Sequence, residues 1–236
     1  MDHTLSAGAR RWLALNAILA WLGLAVSLTL TVTNLYPSTV TVPTRYGADH
    51  AAGLGSRLAD WFSYFTIWSN IVVAVVTSLL AWGRPRVGAA LRAARLDSVL
   101  LITITGLVYA VVLAPVSVQR GWENVSNSLL HQVTPVLTVI VWVVVGPRGW
   151  VNRRTVLDAL VIPLTWVTVM LLHGAFVGAY PYPFVDVAAL GFARALANVA
   201  AILGLGLLMA AGFLAVERGL ARRSSRLQGR PSELPT

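Results

Sequence analysis

The sequence predicts an all-α integral membrane protein: a six-transmembrane-helix bundle with its N- and C-termini cytoplasmic. Hydrophobic residues make up 57% of the 236 and charged residues 11%, and the mean hydropathy is +0.72, which is too apolar for a domain that must clothe itself in water. Six windows reach the length of about 20 apolar residues that a helix needs to cross a bilayer. The basic residues between those windows alternate between dense and sparse, as they do in chains threaded through a membrane.

Span one, 12–34, begins at Trp12 directly after Arg10 and Arg11. It is longer than the apolar core of a secretory leader, and no small-residue cleavage site follows it, so it is expected to remain uncleaved. Span two covers 59–82 and carries Ser63, Thr66, Asn70 and Thr77 on one helical stripe. Span three, 97–118, contributes Ser98, Thr105 and Tyr109. Span four, 127–145, is the shortest and contains Pro135, which a spanning helix tolerates near its start because neighbours re-satisfy the backbone. Its stripe is Asn127, His131, Thr134 and Thr138. Span five, 157–178, holds His173, and span six runs over 192–216. Residues 1–216 are thus expected as one membrane bundle, and 217–236, rich in Arg, Ser, Gly and Pro, as a basic flexible cytoplasmic tail.

All 18 basic residues are Arg. Arg10, Arg11, Arg84, Arg86, Arg92, Arg95, Arg148, Arg153, Arg154, Arg218, Arg222, Arg223, Arg226 and Arg230 fall on one side of the six spans, whereas Arg45, Arg57, Arg120 and Arg194 fall on the other. The crowded side is the expected cytoplasmic one. This bias and attraction to anionic lipid head groups account for most of the +9 net charge, so nucleic acid is not an expected partner. There is no cysteine, which excludes disulfides, thiolate catalysis and Cys-bearing metal sites. Four histidines among few carboxylates argue against a metal centre, and no cofactor is expected. An all-Arg membrane protein without an organelle signal fits the bacterial cytoplasmic (inner) membrane.

The informative residues are those that hydrocarbon excludes. A polar side chain at membrane depth is costly unless it meets a partner or a water-filled cavity, which makes it a functional-site candidate. Thr66 and His131 lie at similar inferred depths in the outer half of two different spans. A hydroxyl beside an imidazole is a minimal nucleophile and base, and these two are the expected catalytic pair. Asn70, one turn below Thr66, and Tyr109 are expected to stabilise an oxyanion; Asn127, one turn above His131, or His173 is expected to orient the imidazole. Backbone N–H groups should be scarce in this role, because a continuous helix spends them internally. Trp61, Trp68, Trp122 and Trp150, near span ends, are expected as interfacial anchors.

Taken in order, YFTIWSN in span two, SLLHQVTP at the start of span four and HGAFVGAYPYPFVD at the end of span five resemble the androgen-induced gene family. That family includes the androgen-dependent regulator of tissue-factor-pathway inhibitor. Its vertebrate members are six-span threonine hydrolases that cleave fatty acid esters of hydroxy fatty acids with a Thr and a His. The resemblance implies Thr66 as nucleophile, His131 as its histidine, and His173 with Tyr182, Pro183 and Phe184 as the third motif. Asp186 closes that motif and is carried with the binding residues. Trp68 and Asn70 depart from the vertebrate continuation after the Thr, so the fold carries over more safely than the substrate.

Membrane lipids or fatty-acid esters are therefore the expected partners. Two other classes of function fit the same polar chamber. One is a non-catalytic protein that binds or transports a lipid or amphiphile, although no repeat or midplane ion site accompanies it. The other is haem held between His131 and His173. The distance between Thr66 and His131 discriminates catalysis from binding, and a Soret band in the absorbance spectrum would mark haem.

Overall fold

The computed structural model describes residues 5–35, 53–83, 86–116 and 119–228; Arg45, Arg84, Arg230 and the end of the basic tail lie outside the described residues. Six helices long and apolar enough to span a membrane are present, at Ala7–Thr33, Phe65–Trp82, Ala89–Leu113, Trp122–Val145, Arg153–Val177 and Phe192–Leu220. The chain is an all-α, multi-pass membrane bundle. Described residues form no strand, as expected where every backbone polar group must be satisfied without water.

Helix α1 (Ala7–Thr33) starts at Ser6, whose hydroxyl accepts from Ala9 N at 3.1 Å, and ends at Asn34 in the left-handed conformation. Its buried face is Leu13, Asn16, Ala17, Ala20, Gly23, Leu24, Ser27, Leu30 and Thr31, a strict three-and-four spacing that turns one stripe inward. Helix α1 packs most extensively on α3 (Phe65–Trp82), and α3 packs in turn on α4 (Ala89–Val108).

Span two is not one helix. It breaks at Tyr64, between α2 (Leu54–Ser63) and α3. The carbonyls released at the end of α2 are taken up by side chains: Trp68 Nε1 donates to Phe62 O at 2.7 Å, Trp166 Nε1 to Ser63 O at 2.9 Å, and Ser63 Oγ to Asp60 O at 2.7 Å. An open backbone at membrane depth is tolerable only with such partners.

Span four also departs from a plain helix. Helix α5 (Trp122–Ser128) passes through a π-helical turn, Leu129–Val133, into α6 (Thr134–Val145). The cause is Pro135, which has no N–H for the carbonyl of His131 four residues back. The ladder widens there, with Thr134 N donating to Leu129 O. Such bulges cluster at functional sites. A second π turn, Tyr109–Leu113, ends span three just before Pro115.

Span five is α7 (Arg153–Asp158), which opens with a capping box between Asn152 and Thr155, followed after a short break by α8 (Val161–Val177). A 3₁₀ turn, Pro183–Val185, and a short helix, α9 (Val187–Leu190), lead into α10 (Phe192–Gln228). The boundary expected at residue 216 falls inside α10. Glu217 is buried there and accepts from Trp150 N at 3.1 Å, so the helix continues as packed structure through the start of the expected tail. Three of the expected aromatic anchors have other work: Trp61 Nε1 donates to Ser27 Oγ at 2.9 Å, Trp68 caps α2, and Trp150 is buried. Trp122 is exposed.

Candidate functional site

Thr66 and His131 meet. Thr66 Oγ1 lies 3.1 Å from His131 Nε2, and His131 Nδ1 lies 3.2 Å from Asn127 O. A carbonyl can only accept, so in the neutral ring Nδ1 carries the hydrogen and Nε2 presents its lone pair to the threonine hydroxyl. The threonine therefore donates to the histidine, the direction that deprotonation of a nucleophile requires.

The break at Tyr64 gives Thr66 this freedom. A threonine inside a helix ordinarily donates to the carbonyl four residues back, and Thr29, Thr31, Thr33, Thr77, Thr103, Thr105, Thr165 and Thr168 all do so. For Thr66 that carbonyl is Phe62 O, which belongs to α2 and is already taken by Trp68. The hydroxyl is left to His131.

Two glycines fix the π turn that carries His131. A Cβ on Gly23 of α1 would stand 2.8 Å from Leu130 Cδ2 and 3.1 Å from Leu129 Cβ, and one on Gly106 of α4 would stand 3.0 Å from Pro135 Cβ and 3.5 Å from His131 O. Two neighbouring spans thus close on this turn with no side chain between. The Tyr109 ring stacks on the imidazole, with centroids 4.5 Å apart and planes at 28°, and its hydroxyl accepts from Asn127 Nδ2 at 2.6 Å. Position, tilt and tautomer of His131 are all specified.

The expected supporting residues divide. Asn127 does orient His131, through its carbonyl, while its side chain holds Tyr109. Asn70 is not an oxyanion donor: its amide nitrogen donates to Thr66 O at 2.8 Å and to Leu130 O at 3.2 Å, tying α3 to the π turn. His173 does not orient His131. It lies on α8 with Nε2 2.8 Å from Asp60 Oδ1, joining span five to α2. Asp186 caps α9, accepting from Ala189 N at 3.1 Å. Sequence spacing puts His173 in the outer half of span five and Asp186 in the loop after it, but depth alone does not set which neighbour a helix face meets.

Tyr182 completes the site from the α8–α9 connection. It is buried, its hydroxyl interacts with the Thr66 side chain and with the backbone of Phe65 and Thr66, and burial holds its pKa above the usual tyrosine value. These backbone groups exist because Phe65 and Thr66 are the first residues of α3, where a helix has N–H groups without internal acceptors. The break at Tyr64 thus brings to the site backbone groups that an unbroken helix spends internally. Tyr182 is held by rings: Tyr64 edge-on at 5.8 Å and Phe184 stacked at 5.2 Å.

The pair opens on a narrow cavity of about 70 Å³, lined by α3, α4, span five, the Tyr182 turn and α10. Thr66, His131, Tyr182 and Thr105 are the polar side chains in its wall. The hydroxyl of Thr105 is engaged by Leu101 O at 3.0 Å and Ser69 Oγ at 2.8 Å, so the polarity available to a ligand is concentrated at Thr66, His131 and Tyr182. His131 has both nitrogens engaged and His173 is not in the wall, an arrangement that does not fit haem between them.

Comparisons with protein-family models, curated proteins and solved structures give no match. The functional reading therefore rests on the geometry.

Proposed function

We propose that this chain is a membrane-embedded hydrolase of lipid esters, with Thr66 as nucleophile and His131 as general base. The observation that carries the reading is the 3.1 Å contact between Thr66 Oγ1 and His131 Nε2, with the far nitrogen fixed by Asn127 O at 3.2 Å. Nucleophile, base and orienting group stand in a row, as covalent acyl transfer requires. The orienting group is a backbone carbonyl instead of a carboxylate, which fixes the tautomer without placing a charge in hydrocarbon.

In the proposed reaction the Thr66 oxygen attacks the ester carbonyl while its proton passes to His131 Nε2. The resulting tetrahedral oxyanion collapses, the acyl group remains on Thr66, and His131 returns the proton to the departing alkoxide. Water then attacks the acyl-threonine by the same route in reverse, releasing the acid and restoring the hydroxyl. Tyr182 is the donor best placed for the oxyanion, with the first amides of α3 beside it. Burial favours the neutral phenol, the form that can donate.

An apolar chamber with polar groups at one end fits an ester whose acyl part is hydrocarbon, and the fit to the bilayer favours membrane lipids or fatty-acid esters as substrates. The motif resemblance points the same way. The Arg bias supports a position for the pair in the outer half of the membrane, and the bacterial cytoplasmic membrane is the proposed location. The second reading, binding of an amphiphile without chemistry, draws on the same apolar wall.

A fluorophosphonate probe on purified protein separates the two. Wild type is expected to be labelled and to hydrolyse a long-chain ester, and Thr66→Ala to do neither while retaining its melting temperature. Unlabelled wild type that still binds the ester overturns the hydrolase reading in favour of binding.

A further inference from the structure

The chamber has a direction, a length and a floor. Along α10 its wall includes Val199, Leu203, Gly206 and Ala210, a helical stripe whose ends are eleven residue steps apart and so roughly 16 Å long. The polar atoms stand at the outer end of this stripe. At the other end the lining reaches Val156, Ala159 and Ala210, next to a packed layer in which the Trp142 and Phe213 rings meet edge to face at 5.1 Å. Helix α8 packs on α2, whereas α10 packs on α4 and α9; the chamber is lined by both α8 and α10, and Val156 of span five and Phe213 of span six share one apolar cluster at its inner end.

From this we infer that the chamber is a slot for one extended acyl chain, carbonyl at Thr66 and methyl end toward the Arg-rich face, and that Gly206 on α10 sets the chain length it accepts. The inference rests on the lipid-ester reading for the identity of its occupant and on the cavity's own shape for its length. A slot of that length takes roughly a dozen carbons in line. Each methylene moved into it is worth about fourfold in affinity until the floor is reached, after which added carbons have no wall to meet.

Gly206 is singled out by what surrounds it. Its missing side chain faces the slot about two-thirds of the way down, and a Cβ there would meet only Ile104 Cδ1, at 3.5 Å, an ordinary contact. Larger side chains at this position extend into the slot alongside Ile104 of α4. Glycine within a helix is otherwise unfavourable relative to alanine, so its presence here has a cost that the open slot accounts for.

The test is a chain-length series on the full-length protein in detergent or nanodiscs. Saturated 4-nitrophenyl esters of four to eighteen carbons report turnover in wild type. Saturated fatty acids of the same lengths report binding to Thr66→Ala, by quenching of tryptophan fluorescence, so that the slot is measured without chemistry. Affinity should rise about fourfold per methylene and level off near a dozen carbons. Adding Gly206→Phe should move the levelling point down by roughly four carbons, and Gly206→Ala, which is gentle on folding, by about one. The same Phe placed at Leu208, which faces outward and is 71% exposed, should move nothing.

A levelling point that shifts with Gly206 while no ester is turned over retains the slot and removes the hydrolase. Affinity that does not depend on chain length, or a levelling point unmoved by either Gly206 variant, overturns the slot whether or not esters are cleaved.

Discussion

Among the described residues, two buried polar clusters lie near opposite ends of the bundle and are built on opposite plans. Near the Arg-rich face, Arg95 donates to Gly146 O at 3.0 Å, Arg148 donates to Trp142 O at 2.7 Å and also to Val143 O, and Glu217 accepts from Trp150 N at 3.1 Å with Arg148 3.9 Å away. Charges there are spent on backbone carbonyls and amides at the helix ends that join spans four and five. At the other cluster, Thr66, His131, Asn127, Tyr109 and Asn70 carry no carboxylate or guanidinium, and two of them face a chamber. Charge in this bundle is used to tie ends together. Neutral hydrogen bonds set up the place where a ligand can reach.

That contrast predicts separable consequences. The largest effect is expected from Thr66→Ala or His131→Ala, each lowering kcat by about 10³-fold or more while thermal unfolding shifts little. Activity that survives in either variant erases the distinction. At the opposite cluster, Glu217→Leu removes the acceptor for a buried N–H and should destabilise the fold by about 1–3 kcal/mol, with kcat per folded molecule unchanged. Equilibrium unfolding in mixed micelles, paired with active-site titration, checks this.

Tyr182→Phe is expected to lower kcat by about 10²-fold through loss of the oxyanion donor, with KM little altered. Gly106→Val should push against Pro135 and the π turn, costing about 1–3 kcal/mol of strain and misplacing His131. A variant that destabilises without losing kcat would show that the clamp serves packing alone.

The smallest effect is on pH dependence. Burial raises the Tyr182 pKa in the folded state, so the folded protein holds the phenolic proton more tightly than the unfolded chain does. This contribution to stability is fully present below the unfolded value, about pH 10, and is lost as pH rises through the folded one. Melting temperatures between pH 8 and 11 should fall more steeply at the alkaline end for wild type than for Tyr182→Phe.

Much of this was legible in the sequence because it depends on period and polarity. Six apolar runs give six spans, and Thr66 and His131 stand out in those runs as groups that must find partners. The geometry of the pair was only half legible. Span two reads as one unbroken window, with no Pro or Gly near Tyr64, yet the helix stops there because Trp68 and Trp166 cap its carbonyls. Trp166 lies about a hundred residues away in sequence, and no local pattern announces such a partner. The same limit explains Asn70 and His173: spacing gives the face and the depth, and only packing decides which atoms meet. Pro135 was visible, but its effect, a π turn that carries His131, follows from the missing N–H combined with the close approach of Gly23 and Gly106.

The bond from the Trp166 indole to Ser63 O also has a meaning for biosynthesis. Span two leaves the ribosome long before span five exists, and until Trp166 arrives the Ser63 carbonyl has no indole to accept from. At roughly 5–20 residues per second the nascent chain passes several seconds in that condition. The break between α2 and α3 that precedes Thr66 is fully capped only after the fifth span has docked, so an unfinished chain in the membrane lacks this support beside the Thr66–His131 pair.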